Sequence, residues 1–212
     1  MGRGQSGSDN KKLKRSKSNN SGGSTARGHL PSENGYQKNT EILRKEMGVS
    51  QERFDEMLNY VGEYVSGDFQ MLNKYQSGKL GESAMLKKYS DNIEEFISKA
   101  PNWNGGTIYR GVSLSDNELS GILSGKPFDM GGTKSWSSNR GVASEFADSN
   151  AFGSKTNKVL FRASGTKKGT SVKFMEDPFF PSDEVLVSKD VRYIPIQSTK
   201  SGDTYIIDLA EL

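Results

Sequence analysis

The chain of 212 residues has no cysteine and one histidine, His29. Disulfides, a thiolate nucleophile, a cysteine zinc site and a paired-histidine metal site are thereby excluded. His29 sits in a stretch too polar to pack, which also removes a serine–histidine–acid triad. No apolar run approaches the roughly 20 residues that a membrane helix needs, and the N-terminus lacks the apolar segment of a secretory signal. A soluble, metal-free protein is expected. Its chemistry must run on carboxylates, arginine, lysine, hydroxyls and aromatic rings.

The net charge of +3 is unevenly placed. Residues 1–32 hold seven basic groups and one acid, a charge of +6, so the remainder carries −3. Residues 1–38 are rich in Gly, Ser, Asn, Lys and Arg with little to bury, the composition of a disordered arm. Within it, Lys11 to Lys17 could touch an anionic surface or act only as a solvated tail. The mildly acidic body, 39–212, gives no electrostatic reason to expect nucleic-acid binding.

Between Asn39 and Ala100 the apolar residues recur at helical spacing. Ser50 precedes Phe54, Met57, Leu58, Val61, Tyr64 and Val65; Asp68 precedes Phe69, Met71, Leu72 and Tyr75; Ser90 precedes Ile93, Phe96 and Ile97, and Pro101 stops the run. After Pro101 the period falls to two, and strands are expected at 107–112, 135–137, 158–163, 171–175, 184–188, 191–196 and 204–209. Two helices interrupt them, one behind the Ser115–Glu118 capping box and one opened by Asn139. Helices gathered first and strands last imply an α+β domain whose sheets fold over one another.

Four segments could carry chemistry. In Tyr109-Arg110-Gly111 an arginine offers a planar fork of donors suited to phosphate, beside a glycine that allows close approach to the backbone. Ser135-Trp136-Ser137-Ser138 is a hydroxyl-rich strand feeding into a helix. Phe179 and Phe180 lie between Pro178 and Pro181 on a stiff loop, and Ser182-Asp183-Glu184 opens a strand. Strand alternation puts Ser182, Glu184 and Leu186 on one face and Asp183 on the other, so the adjacent acids cannot serve one site as a glycosidase pair would. Each segment also has an ordinary structural explanation: a surface ion pair, a polar strand edge, aromatics tucked into the core, an exposed strand glutamate.

Their order along the chain resembles the Arg-Ser-Glu class of mono-ADP-ribosyltransferases, toxin-like and phage enzymes that transfer ADP-ribose from NAD+. The family's aromatic-Arg-Gly is met by Tyr109-Arg110-Gly111, its Ser-Thr-Ser by Ser135-Trp136-Ser137, and its Glu/Gln-x-Glu by Ser182-Asp183-Glu184. The resemblance spans about 40–212. It implies N-terminal helices followed by a two-sheet mixed β core with an NAD-binding cleft, NAD+ as substrate, and a macromolecular acceptor, a host protein. An effector or toxin would act in the cytoplasm of a producing or target cell, or be carried by a phage particle.

By the same resemblance Glu184 would stabilise positive charge developing on the ribose, Ser135 would hold that carboxylate, and Arg110 would clamp the pyrophosphate or adjoining ribose. Gly111 and Ser137 would complete the NAD+ contacts, while Phe179, Phe180 and Ser182 would face the acceptor. Trp136 departs from the family's threonine and leaves the key hydroxyl open among Ser135, Ser137 and Ser138, with Ser135 favoured by its spacing to Ala143. Ser182 departs from the family's Glu or Gln, so acceptor chemistry does not carry over. An NAD+ glycohydrolase and a non-catalytic binding module are the competing expectations.

Overall fold

The computed structural model describes residues 33–149, 156–175 and 183–212. Lys11 to Lys17, His29, Phe179, Phe180 and Ser182 lie outside the described residues. Helices α1 (Glu33–Met47), α2 (Gln51–Glu63), α3 (Phe69–Gln76) and α4 (Ala84–Lys99) come first. Ser50 caps α2 as expected, accepting from the Arg53 N–H at 3.3 Å. The cap of α4 is Ser83 rather than Ser90. Ser90 falls inside that helix, buried, where its hydroxyl accepts from Gln76 Nε2 at 3.0 Å. Between α2 and α3 the chain makes a π-helical turn, Tyr64–Asp68, broken at Gly67 with φ 126°, a value that favours glycine.

Phe54, Met57, Val61, Ile93 and Phe96 form the helical core. Arg53 crosses from α2 to α4, donating to Asn92 Oδ1 at 2.8 Å and pairing with Glu95 at 2.5 Å. The strands are β1 (Ile108–Leu114), β2 (Phe128–Asp129), β3 (Lys134–Ser137), β4 (Asn157–Ala163), β5 (Gly169–Ser171), β6 (Glu184–Val187), β7 (Arg192–Ser201) and β8 (Thr204–Glu211). Helices α5 (Asp116–Leu123), behind its capping box, and α6 (Arg140–Ser149), opened by Asn139, interrupt them. β2 was not anticipated. The strand expected at 171–175 lies earlier: the Ser171 hydroxyl accepts from the Lys173 N–H and turns the chain into a 3₁₀ turn, Lys173–Met175.

The α+β class holds, but the strands do not form two separate sheets. All eight are hydrogen-bonded in the order β2-β7-β8-β4-β1-β3-β6-β5. Two blocks are nonetheless visible, because β1 and β3 are joined by the single pair Tyr109–Ser137, whereas β1 pairs with β4 along its whole length. Strand alternation on β6 sends Leu186 into the helical core and Val185 and Val187 into a second core with Ile108, Trp136 and Phe161.

Gly111 has a packing reason. A Cβ there would lie 1.7 Å from the Ala143 carbonyl oxygen and 2.6 Å from the Ala147 nitrogen, so helix α6 rests directly on β1. Ala143 and Ala147, four apart and both buried, keep the α6 face small enough for that approach. The Ser113 hydroxyl locks it, donating to the Ala147 carbonyl at 3.0 Å. The close approach that the glycine permits is therefore made by a helix. Gly111→Ala should cost about 1–3 kcal/mol or more through overpacking against backbone. A denaturant or thermal midpoint equal to that of the wild type would show that α6 yields freely.

Candidate active site

Where β1 and β3 part beyond Tyr109–Ser137, their facing edges open onto a cavity of about 550 Å³. Consecutive residues from both strands line it, Tyr109 to Leu114 and Ser135 to Ser137, as expected where two strand edges separate. Glu184 enters from β6, Tyr64, Phe69 and Asn73 from the helical layer, and Val142, Ala143 and Phe146 from α6. Arg110, Gly111, Ser135, Ser137 and Glu184 are thus brought to one cavity from three strands. Phe179, Phe180 and Ser182 lie outside the described residues, and Ser138 stands beside the cavity with its N–H on the Asp183 carbonyl at 3.0 Å.

Strand β3 is placed by the residue before it. Thr133, fully buried, donates its N–H to Gln76 Oε1 at 2.8 Å and its hydroxyl to Glu94 Oε1 at 2.5 Å. Its hydroxyl oxygen accepts from Gln76 Nε2 at 3.0 Å, and its carbonyl accepts from the Tyr64 hydroxyl at 2.8 Å. Glu94 also receives the Ser188 hydroxyl at 2.6 Å and the Lys189 N–H at 3.2 Å, just past the end of β6. One carboxylate on α4 therefore holds the start of β3 and the end of β6 together.

From that anchored end the pair runs in register to the cavity, Lys134 opposite Val187, Ser135 opposite Leu186 and Ser137 opposite Glu184. Directly paired residues share a face, so Ser135, Ser137 and Glu184 all face one side. The Ser137 hydroxyl accepts from the Asn139 N–H at 2.9 Å, which ties it to the start of α6. Ser135 is bound through its backbone: its carbonyl accepts from Arg110 Nη1 across the split between β1 and β3.

Arg110 lies in the middle of β1. Burial pulls its guanidinium below the ordinary arginine range, and the nearby Tyr64, Glu184 and Tyr193 pull the other way. Burial pushes the Tyr64 phenol up to about 12, opposed by the Arg110 charge and by the Ser135 and Asn73 side chains. The Tyr64 phenol therefore stays protonated at neutral pH and serves as a donor. Lys134, half-buried, is lowered to about 7, first by burial and then by the Arg110 charge. Its ammonium donates to Asn73 Oδ1 at 2.7 Å and the Gly131 carbonyl at 3.2 Å.

Sequence patterning missed the helical wall of the cavity. Tyr64, Val65 and Phe69 sit on the helical apolar stripe, and the stripe alone reads as core. The available signal was Gly67 interrupting that stripe, since π-type irregularities inside helices recur at functional sites. Phe69 and Phe146 line the cavity and remain 40% and 55% exposed.

Lys134 also makes stability depend on pH. An unfolded lysine keeps its proton into the ordinary range near 10.5, whereas the folded one releases it near 7. Between those values the unfolded chain binds more protons, so the folded state gains stability as pH rises. Relative to Lys134→Met, the wild-type melting temperature should climb from pH 7 toward pH 10. A difference that stays flat across that window would contradict the lowered value.

No protein-family model matches the chain, and no curated protein matches it in sequence. Solved structures do match in fold. The Vis toxin, an ADP-ribosyltransferase from Vibrio splendidus, superposes with a TM-score of 0.62 at 16% identity over 88% of each chain. Exoenzyme S from Pseudomonas aeruginosa, solved with human 14-3-3 protein beta and bound to carba-NAD, gives 0.57 at 16% identity over 82% of this chain and 88% of that one. The C3 exoenzyme from Clostridium limosum gives 0.53 at 12% identity over 84% and 94%. The chain has the fold of the mono-ADP-ribosyltransferase toxins.

Proposed function

We propose that the protein is a mono-ADP-ribosyltransferase that moves ADP-ribose from NAD+ to a macromolecular acceptor, a host protein, releasing nicotinamide. The observation that carries this is the convergence of Arg110, Ser135 and Glu184, from three different strands, on one cavity. The cavity suits the donor's chemistry: an arginine fork for pyrophosphate, hydroxyls for ribose, and the exposed rings of Phe69 and Phe146 for flat bases. The fold shared with toxins solved on carba-NAD and NADH supports the same donor.

In this reaction the bond between ribose and nicotinamide breaks with its electron pair leaving on nicotinamide. An acceptor nucleophile then bonds to the anomeric carbon and gives up its proton. Glu184 supplies a fixed anion against the positive charge that develops on the ribose, where it is worth more than in the ground state. Arg110 holds the donor phosphates while its bond to the Ser135 carbonyl keeps the two lips of the cleft in place. The hydroxyls of Ser135 and Ser137, on the Glu184 face, orient the carboxylate and ribose. Gly111 contributes its backbone edge to the donor's binding wall. Acceptor choice falls to the segment carrying Phe179, Phe180 and Ser182, immediately before Glu184. Lys11 to Lys17 supply the charge for contact with an anionic surface.

Incubation with labelled NAD+ and a cell lysate tests the proposal directly. The wild-type chain should release nicotinamide and label a macromolecule, and Glu184→Gln should lose both by about 100-fold or more while its melting temperature is retained. Full activity in Glu184→Gln would overturn the mechanism. Ser182, standing where the family has Glu or Gln, favours a second reading in which water is the acceptor; rapid NAD+ loss with no labelled macromolecule would select it. A wild-type chain that neither binds nor consumes NAD+ would leave the fold as a binding module.

A further inference from the structure

Asp183, immediately before Glu184, is the one non-glycine residue with positive φ among the described residues, at 49°. That left-handed conformation is uncommon for any residue with a Cβ, and such backbone collects at active sites, where its surroundings must hold it. Here they do. The Ser138 N–H and hydroxyl both donate to the Asp183 carbonyl, at 3.0 and 3.4 Å, and Lys173 pairs with the Asp183 carboxylate. One peptide further on, the Glu184 carbonyl accepts from the Val172 N–H at 3.0 Å.

The position of this turn in the register gives it meaning. Ser137–Glu184 is the last pair of the β3–β6 ladder. A residue at 183 with ordinary extended backbone would carry the ladder one pair further, opposite Ser138. The left-handed residue stops it there, so Glu184 becomes the first residue of its strand, at the mouth of the cavity. The Ser138 donors satisfy the carbonyl at the point where the ladder ends.

We propose that Asp183 is a positioning residue: its left-handed backbone aims the Glu184 carboxylate into the cleft, and the reaction needs this conformation rather than the Asp183 charge. The inference rests on the transferase reading, with Glu184 as the catalytic anion. Because that carboxylate works mainly against charge developing in the transition state, a misaimed Glu184 lowers kcat and leaves the KM for NAD+ nearly intact.

The test is a series at one position, read as steady-state NAD+ turnover with melting temperature as a control for folding. Glycine and asparagine both tolerate positive φ, and neither carries the charge; valine resists positive φ. Asp183→Val should lower kcat by about tenfold or more with KM for NAD+ changed by less than about threefold. Asp183→Gly and Asp183→Asn should retain most of the wild-type kcat. Loss in asparagine equal to that in valine would assign the effect to charge and overturn the proposal, as would wild-type kcat in the valine chain. Should valine fail to fold, Asp183→Ala carries the same expectation in weaker form, below glycine and asparagine in kcat. A wild-type chain that turns over no NAD+ would overturn the transferase reading as well, which separates the two failures.

Discussion

Thr133 is where the two layers of the molecule meet. It has three polar groups, all bound into the helical layer: the amide to α3, the hydroxyl to α3 and α4, and the carbonyl to Tyr64 at the π-helical turn. A buried polar group left unpaired costs on the order of 1–3 kcal/mol, so the network resists partial disassembly. Since the next residues are Lys134 and Ser135, the same bonds that dock the helices also fix where β3 begins. Glu94 extends the arrangement to β6, and the position of Glu184 at the far end of that strand follows from a register set some four residues away.

The electrostatics of the cleft follow from this packing. Arg110 and the Tyr64 phenol line the cleft with Glu184, and Lys134 stands close enough to Arg110 for the two cations to repel. That repulsion, added to burial, makes Lys134 give up its proton more easily than a solvated lysine. Arg110, whose guanidinium resists deprotonation, remains the fixed cation. The cleft thus sets an arginine and a carboxyl group on opposite lips of a split, the arrangement on which the proposed reaction relies.

The motif residues were legible because their signal is local: an arginine beside a glycine, two hydroxyls before a helix cap, an acid at a strand start. Helix α6 and the Ser115 capping box were legible for the same reason, each marked by a side chain bonding to its own neighbourhood. What escaped depends on contacts distant in sequence. Thr133 meets Tyr64, Gln76 and Glu94 across 39 to 69 residues, and nothing in Gly-Gly-Thr-Lys marks that meeting. Ser90 carries the residue type of a cap but spends its hydroxyl on Gln76 from the middle of α4. The glycine of Tyr-Arg-Gly was noticed for the right property, closeness of approach, yet its neighbour is a helix that only the fold brings there. Two sheets were expected where one continuous order exists, because strand alternation says nothing about a ladder one pair wide.

That one-pair ladder leaves the cleft held in shape by side chains more than by strand pairing. The block containing β4, β1 and β8 is stitched by long ladders and the β3–β6 pair is anchored by Glu94, but between the two the backbone supplies the single pair Tyr109–Ser137. What spans the seam is the second core, in which Trp136, Val185 and Val187 pack with Ile108 and Phe161, together with the Arg110 bridge to the Ser135 carbonyl. Close-packed interiors transmit changes of volume, so the width of the slot is written in the sizes of those buried side chains, well away from anything a bound molecule would touch.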